Sequence, residues 1–84
     1  MYSRAVKLSS FFGLAVRRHR QLLRLSQEEL AARAVIDRTY ISGVERGVRN
    51  PTLDVMERIA ASLGVGLDVV FATARELSAE RENE

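Results

Sequence analysis

The chain has 84 residues, 46% hydrophobic and 29% charged, with no cysteine and a single histidine. A chain of this length forms one small domain that buries roughly 60–65% of its unfolded surface, and without cysteine it has no disulfide framework, thiolate nucleophile or cysteine metal site. No apolar run approaches the ~18 residues of a membrane span, "MYSRAVKLSS" lacks the apolar core and cleavage site of a signal peptide, and the absence of cysteine suits a cytoplasmic protein.

The formal net charge of +2 hides a split. Residues 1–49 carry ten Lys/Arg against four acids, a balance of +6, and residues 50–84 carry three Arg against seven acids, a balance of −4. Nine of the ten N-terminal cations are arginine, the side chain suited to phosphate and to guanine edges. The basic half therefore points to nucleic acid.

The periodicity is helical throughout, and no stretch alternates like a strand. A first helix is expected from about Ser10 to Leu23, with Phe12, Val16, His19 or Arg20, and Leu23 on one stripe. In "SQEELAARA", Ser26 is an N-cap with Glu29 three residues on, a capping box, so a second helix starts at Gln27 and buries Leu30, Ala31 and Ala34. Asp37 caps a third helix, and Gly47 supplies its left-handed stop. Thr52 caps a fourth, with Asp54 at its positive end, Met56, Ile59, Ala60 and Leu63 inward, and Gly64 ending it. A fifth, from about Leu67 to Leu77, places Leu67, Val70, Phe71, Ala74 and Leu77 on one face. The acidic "AERENE", residues 79–84, reads as a frayed tail. One domain over residues 1–84 is expected, with a core over about 10–78.

In "IDRTYISGVERG", Ile41 and Val44 fall on one side of the third helix, and Arg38, Thr39, Ser42 and Arg46 on the other. Only Val35 and Ile36 separate Ala34 from Asp37. Two helices joined so tightly cross steeply, and the start of the second, with Arg38 and Thr39, becomes a protruding edge that fits a DNA major groove. One histidine, no cysteine and no carboxylate pair in a Gly-rich or apolar pocket argue against an enzyme. A metal site is not expected, and "GVG" at residues 64–66 is too short for a phosphate loop.

"LSQEELAARA", "IDRTYISGVERGVRN" and "NPTLDVMERIAASLGV" together resemble DNA-binding domains of the lambda-repressor/Cro type (XRE-like helix–turn–helix), over roughly Phe12 to Phe71. Within that family, "DRTYISGVERGVRN" and "LDVVF" are most similar to the controller proteins of restriction–modification systems. The resemblance implies an all-α, five-helix lambda-repressor-like domain. It implies a transcriptional regulator that binds a palindromic operator as a homodimer and controls a restriction–modification operon and its own gene. No cofactor and no small-molecule effector are expected.

Residue by residue, the resemblance gives Gln27 a phosphate contact at the start of the second helix. It gives Arg38 a guanine edge, and Thr39 a neighbouring base or thymine methyl. Tyr40, Ser42, Arg46, Arg49 and Asn50 would fix register near the DNA backbone. Resemblance and helical geometry agree on an Arg20–Glu45 ion pair tying the first helix to the third, with a structural role.

Leu67, Val69, Val70 and Phe71 exceed what one helix face can bury. A twofold interface formed by the fifth helix, including Ala74, together with the fourth would cover them and set two recognition helices about 34 Å apart. An alternative is an antitoxin-like interaction module whose fifth helix docks on another protein. Three positions depart from the family pattern. Val35 and Arg24 stand where glycine is common, and a positive φ at Val35 would be strained. His19 stands where an apolar residue is usual, and a half-buried ring is expected there.

Overall fold

A computed structural model describes residues 8–82, which form five α-helices and no strand: α1 (Leu8–Leu22), α2 (Gln27–Ala34), α3 (Arg38–Glu45), α4 (Leu53–Ser62) and α5 (Leu67–Glu82). The all-α, five-helix architecture is therefore as expected. Two helices differ in extent. α1 starts two residues earlier than Ser10, and α5 continues through Ala79, Glu80 and Arg81 to Glu82 instead of fraying after Leu77. Arg81 in the last turn of α5 complements the negative end of the helix dipole, which helps an acidic sequence remain helical.

Local chemistry sets the boundaries. Ser26 accepts from the Glu29 N–H at 3.0 Å while the Glu29 carboxylate accepts from the Ser26 N–H at 2.8 Å, the reciprocal box that starts α2. The same bond to the Ser26 N–H holds the Glu29 carboxyl below its ordinary value. Asp37 caps α3 through the Thr39 N–H and hydroxyl, and Thr52 caps α4 through the Val55 N–H. Gly47 and Gly64 take positive φ (76° and 77°) just after α3 and α4, where a left-handed residue ends a helix.

The core is one cluster. Phe12, Val16, Leu30, Ile41, Val44, Ile59 and Val70 are its large, fully buried side chains, contributed by all five helices. Phe71 adds a tilted ring 5.8 Å from that of Phe12. Some positions expected to face the core are not in the cluster, with Leu67, Phe71 and Leu77 of α5 only half-buried against it. Leu23 is 47% exposed, because α1 has ended and the chain turns at Arg24 (φ 59°). Met56 is half-buried at the edge of the cluster.

α1 lies against α3 and α5, and α2 against α3 and α4. At the first contact Gly13 has no side chain to keep the helices apart: a Cβ there would run into the Val44 carbonyl oxygen and come within 2.9 Å of that of Glu45. This approach brings the C-terminal turn of α3 against α1 and so fixes how far its other end projects.

Candidate nucleic-acid interface

α2 and α3 are joined by Val35, Ile36 and Asp37. Val35 adopts φ 55°, ψ 51°, the left-handed region that a β-branched residue rarely visits, and its side chain is 79% exposed. Glycine is favoured there because it takes this conformation without the roughly 1–2 kcal/mol Cβ penalty. Arg58 of α4 supports the turn from behind, donating through Nη2 to the carbonyls of Ala34 (2.8 Å) and Val35 (2.7 Å). These are carbonyls the end of α2 leaves without helical partners.

The turn presents the N-terminus of α3 to solvent. Arg38 and Thr39 are both exposed there, and Ser42 follows half-buried on the same side. Arg46 is exposed and is the C-cap of α3. Tyr40 is half-buried against the core cluster, and the Arg49 guanidinium stacks over its ring, 5.6 Å from the centroid. Gly43 makes room for that arginine, since a Cβ would come within 2.7 Å of Arg49 Cγ. Asn50 is exposed and lies near Leu8 and Ser9 at the start of α1.

Beneath this surface lies a charge network. Arg20 Nε donates to Glu45 Oε2 at 2.6 Å and Nη2 to Oε1 at 2.9 Å, a two-point pair, and Nη1 donates to the Leu25 carbonyl at 2.8 Å. The bond to Glu45 raises the Arg20 pKa further above its ordinary range. Glu45 is 6% exposed, so its charge is tolerable only with these partners. The Gln27 amide donates to Glu45 Oε1 at 3.0 Å. The amide at the start of α2 is thus held by the pair that locks α3, with one N–H left over.

Several contributors escaped the sequence reading. Glu28 reaches Arg38 across the turn, with Oε2 3.6 Å from Nε, although its only visible signal was that of an acid in a first helical turn. Arg58 looked like one of three scattered arginines in an acidic half. Gly13 and Gly43 carried no local signal, because the need for a missing side chain arises from a neighbouring segment.

Two of the expected dimer-face residues are corrected. Val70 (0% exposed) and Ala74 (1%) are consumed in the chain's own core, on the side of α5 that packs against α1, and have no surface to offer a partner. Leu67, Val69 and Phe71 keep some, Val69 most clearly at 40%. His19 is half-buried, with Nε2 2.9 Å from Thr73 Oγ1, and no metal-binding cluster of three occurs among the described residues.

A tight two-helix unit with an exposed, arginine-bearing second helix, clamped from behind, defines a DNA-binding helix–turn–helix domain. Residues 16–70 match the helix–turn–helix family, and the chain belongs to it. It is 49% identical over 55 residues to the control protein C.BamHI of Bacillus amyloliquefaciens, covering 64% of this chain and 68% of that one. It is 37% identical over 62 residues, 74% of this chain, to the HTH-type transcriptional regulator Rv0474 of Mycobacterium tuberculosis, and spans only 44% of that protein's length. Among solved structures, the restriction–modification controller protein C.Esp1396I superposes with a TM-score of 0.82 at 33% identity, covering 89% of this chain and 97% of that one. The same controller as a tetramer on its natural 35-base-pair operator gives 0.78 at 35% identity, covering 84% of this chain and 93% of that one.

Proposed function

We propose that this protein is a sequence-specific, DNA-binding transcriptional regulator of the controller type. It binds a palindromic operator as a homodimer, and its targets are a restriction–modification operon and its own gene. The observation that carries the reading is the exposed N-terminus of α3, with Arg38 and Thr39 free of the core while Arg20 and Glu45 brace the helix and Arg58 the turn before it. The similarity to C.BamHI and to an operator-bound controller supports it.

In this reading the N-terminal turn of α3 enters the major groove. Arg38 reads a guanine O6/N7 edge, and Thr39 an adjacent base. Gln27 offers its remaining amide N–H to a phosphate at the start of α2. Tyr40, Ser42, Arg46, Arg49 and Asn50 contact the backbone and fix register. The basic half faces DNA, while the acidic half carries the twofold contact through what α5 exposes, Leu67, Val69 and Phe71. The protein works in the cytoplasm on the nucleoid, with no small-molecule effector.

Selection of binding sites from a random DNA pool at about 150 mM salt, for wild type and Arg38→Ala in parallel, tests this. A palindrome with half-sites one turn apart is expected from the wild type. The variant should lose roughly 1–3 kcal/mol and relax at one guanine. Binding that enriches no sequence and varies only with salt would reduce the basic half to a general phosphate surface, and a docking partner for α5 would become the better account.

A further inference from the structure

We propose that Glu28 is a positioning and specificity-determining residue: its carboxylate holds the Nε edge of the Arg38 guanidinium so that the terminal amines face a base pair. The proposal rests on the reading of Arg38 as the base-contacting arginine and adds a residue to that site.

The first argument is elimination. The basic half of the chain contains four carboxylates. Glu29 closes the capping box of α2, Asp37 caps α3, and Glu45 is buried against Arg20. Each of those three has a structural task. Glu28 is the fourth; its side chain is 69% exposed, and it stands on the surface the DNA would approach, where phosphates repel it. A negative charge there weakens general DNA binding unless something is gained from it.

The second argument is geometric. Oε2 of Glu28 faces Nε of Arg38 at 3.6 Å, with the arginine side chain 53% exposed. Arginine presents two donor edges, and the one used for an end-on, two-point contact with guanine O6 and N7 consists of Nη1 and Nη2. A carboxylate on the Nε side leaves both of those atoms free and restricts the rotation of a long side chain that would otherwise sample many rotamers. At 3.6 Å the pair is looser than a charge-assisted hydrogen bond, and at this exposure it adds little to folding. Its effect is exerted on the orientation of Arg38 when DNA arrives.

The carboxylate also discriminates. Next to non-cognate DNA, Arg38 can leave Glu28 for the nearest phosphate, which strands the carboxylate in the negative field of the backbone. On the cognate base pair the guanidinium lies between Glu28 and guanine and keeps both partners. The difference disfavours wrong sites more than right ones, which is how a repulsive group produces specificity.

The test is a double-mutant cycle with Glu28→Gln and Arg38→Ala, singly and combined. Binding is measured to the selected operator, to the operator with the Arg38-read guanine replaced, and to an unrelated duplex, over a range of salt. Glu28→Gln should strengthen binding to the unrelated duplex while cutting the preference for the guanine by about three- to tenfold. Placed on Arg38→Ala, the same change should leave the preference unmoved. Thermal unfolding of Glu28→Gln should stay cooperative and fall only by the small amount that a first-turn acid contributes at the start of α2, because the side chain supports nothing buried. If Glu28→Gln raises affinity for all three duplexes by one common factor, Glu28 is only a repulsive charge and the proposal is overturned, with Arg38 as base reader intact. A preference lost at a different base pair would make Glu28 a direct reader and overturn it equally. If Arg38→Ala itself changes no base preference, both the proposal and the reading beneath it fall.

Discussion

Gly13 and Val44 meet so closely that α1 and α3 touch backbone to backbone: the space a Cβ would need at Gly13 is occupied by the Val44 carbonyl oxygen. Backbone cannot step aside as a flexible side chain can, so relief requires the two helices to separate. Gly13→Ala is therefore expected to destabilise the domain by roughly 3 kcal/mol or more, the upper end for overpacking, even though alanine is the better helix former. Urea unfolding at neutral pH checks this. A loss below about 1 kcal/mol would mean that α1 slides without resistance.

Val35 offers the opposite case. It is left-handed, β-branched and 79% exposed, so it carries strain and contributes almost no packing. Val35→Gly should stabilise the fold by about 1 kcal/mol, with relief of the Cβ clash outweighing the added freedom of the unfolded chain. Arg58→Met keeps the aliphatic stem but withdraws the donor from the Ala34 and Val35 carbonyls. It should cost about 1–2 kcal/mol. Thermal melts of the two variants should thus move in opposite directions.

The Arg20–Glu45 pair should show the asymmetry of buried charges. Arg20→Met leaves the Glu45 carboxyl at 6% exposure without its cation, with only the Gln27 amide for company, and should cost roughly 3–5 kcal/mol. Arg20→Met combined with Glu45→Leu removes the stranded charge and should recover a good part of that loss. If the double variant is as unstable as Arg20→Met alone, the pair matters for the shape of its hydrogen-bonded network and not for its charge.

These residues also show what is legible in a sequence of this kind. Ser26, Glu29, Asp37, Thr52 and Gly64 act on their own segment within a turn or so, so helix starts and stops could be read from spacing alone. The inward stripes of α2 and α3 were legible for the same reason, and that of α4 except at Met56. What acts across segments was not. Gly13 matters through α3, Arg58 through the end of α2, and Glu28 through Arg38 ten residues on. The fifth helix shows the same limit. Val70 and Ala74 belong to a stripe that looked too apolar for one chain, but the chain's own core already covers them.

Acid should reveal the capping box. The Glu29 carboxyl is held below its ordinary value of 4.5 by the bond from the Ser26 N–H, so the folded state favours its ionised form. The stabilisation is present above the ordinary value and is lost as pH falls through the lowered one. Glu29→Gln keeps an acceptor for the Ser26 N–H but has no proton to gain. Urea midpoints between about pH 6 and pH 3 should therefore fall less steeply for Glu29→Gln than for wild type. Parallel curves would mean that other carboxylates govern acid unfolding.

Val69 is the cleanest probe of the proposed twofold contact. Phe71→Ala would be ambiguous, because that ring also packs on Phe12 and its loss weakens the monomer. Val69 is 40% exposed and a charge there opens no hole in the core. Val69→Asp should therefore leave thermal unfolding cooperative, while the mass measured by sedimentation equilibrium at micromolar concentration falls from dimer to monomer. Operator affinity should fall with it, because one recognition helix makes only half the contacts and ordering a second copy on the DNA is then a separate step. A wild-type chain that sediments as a monomer would instead leave the apolar residues of α5 for another protein. A Val69→Asp chain that stays dimeric would move the contact to a different face.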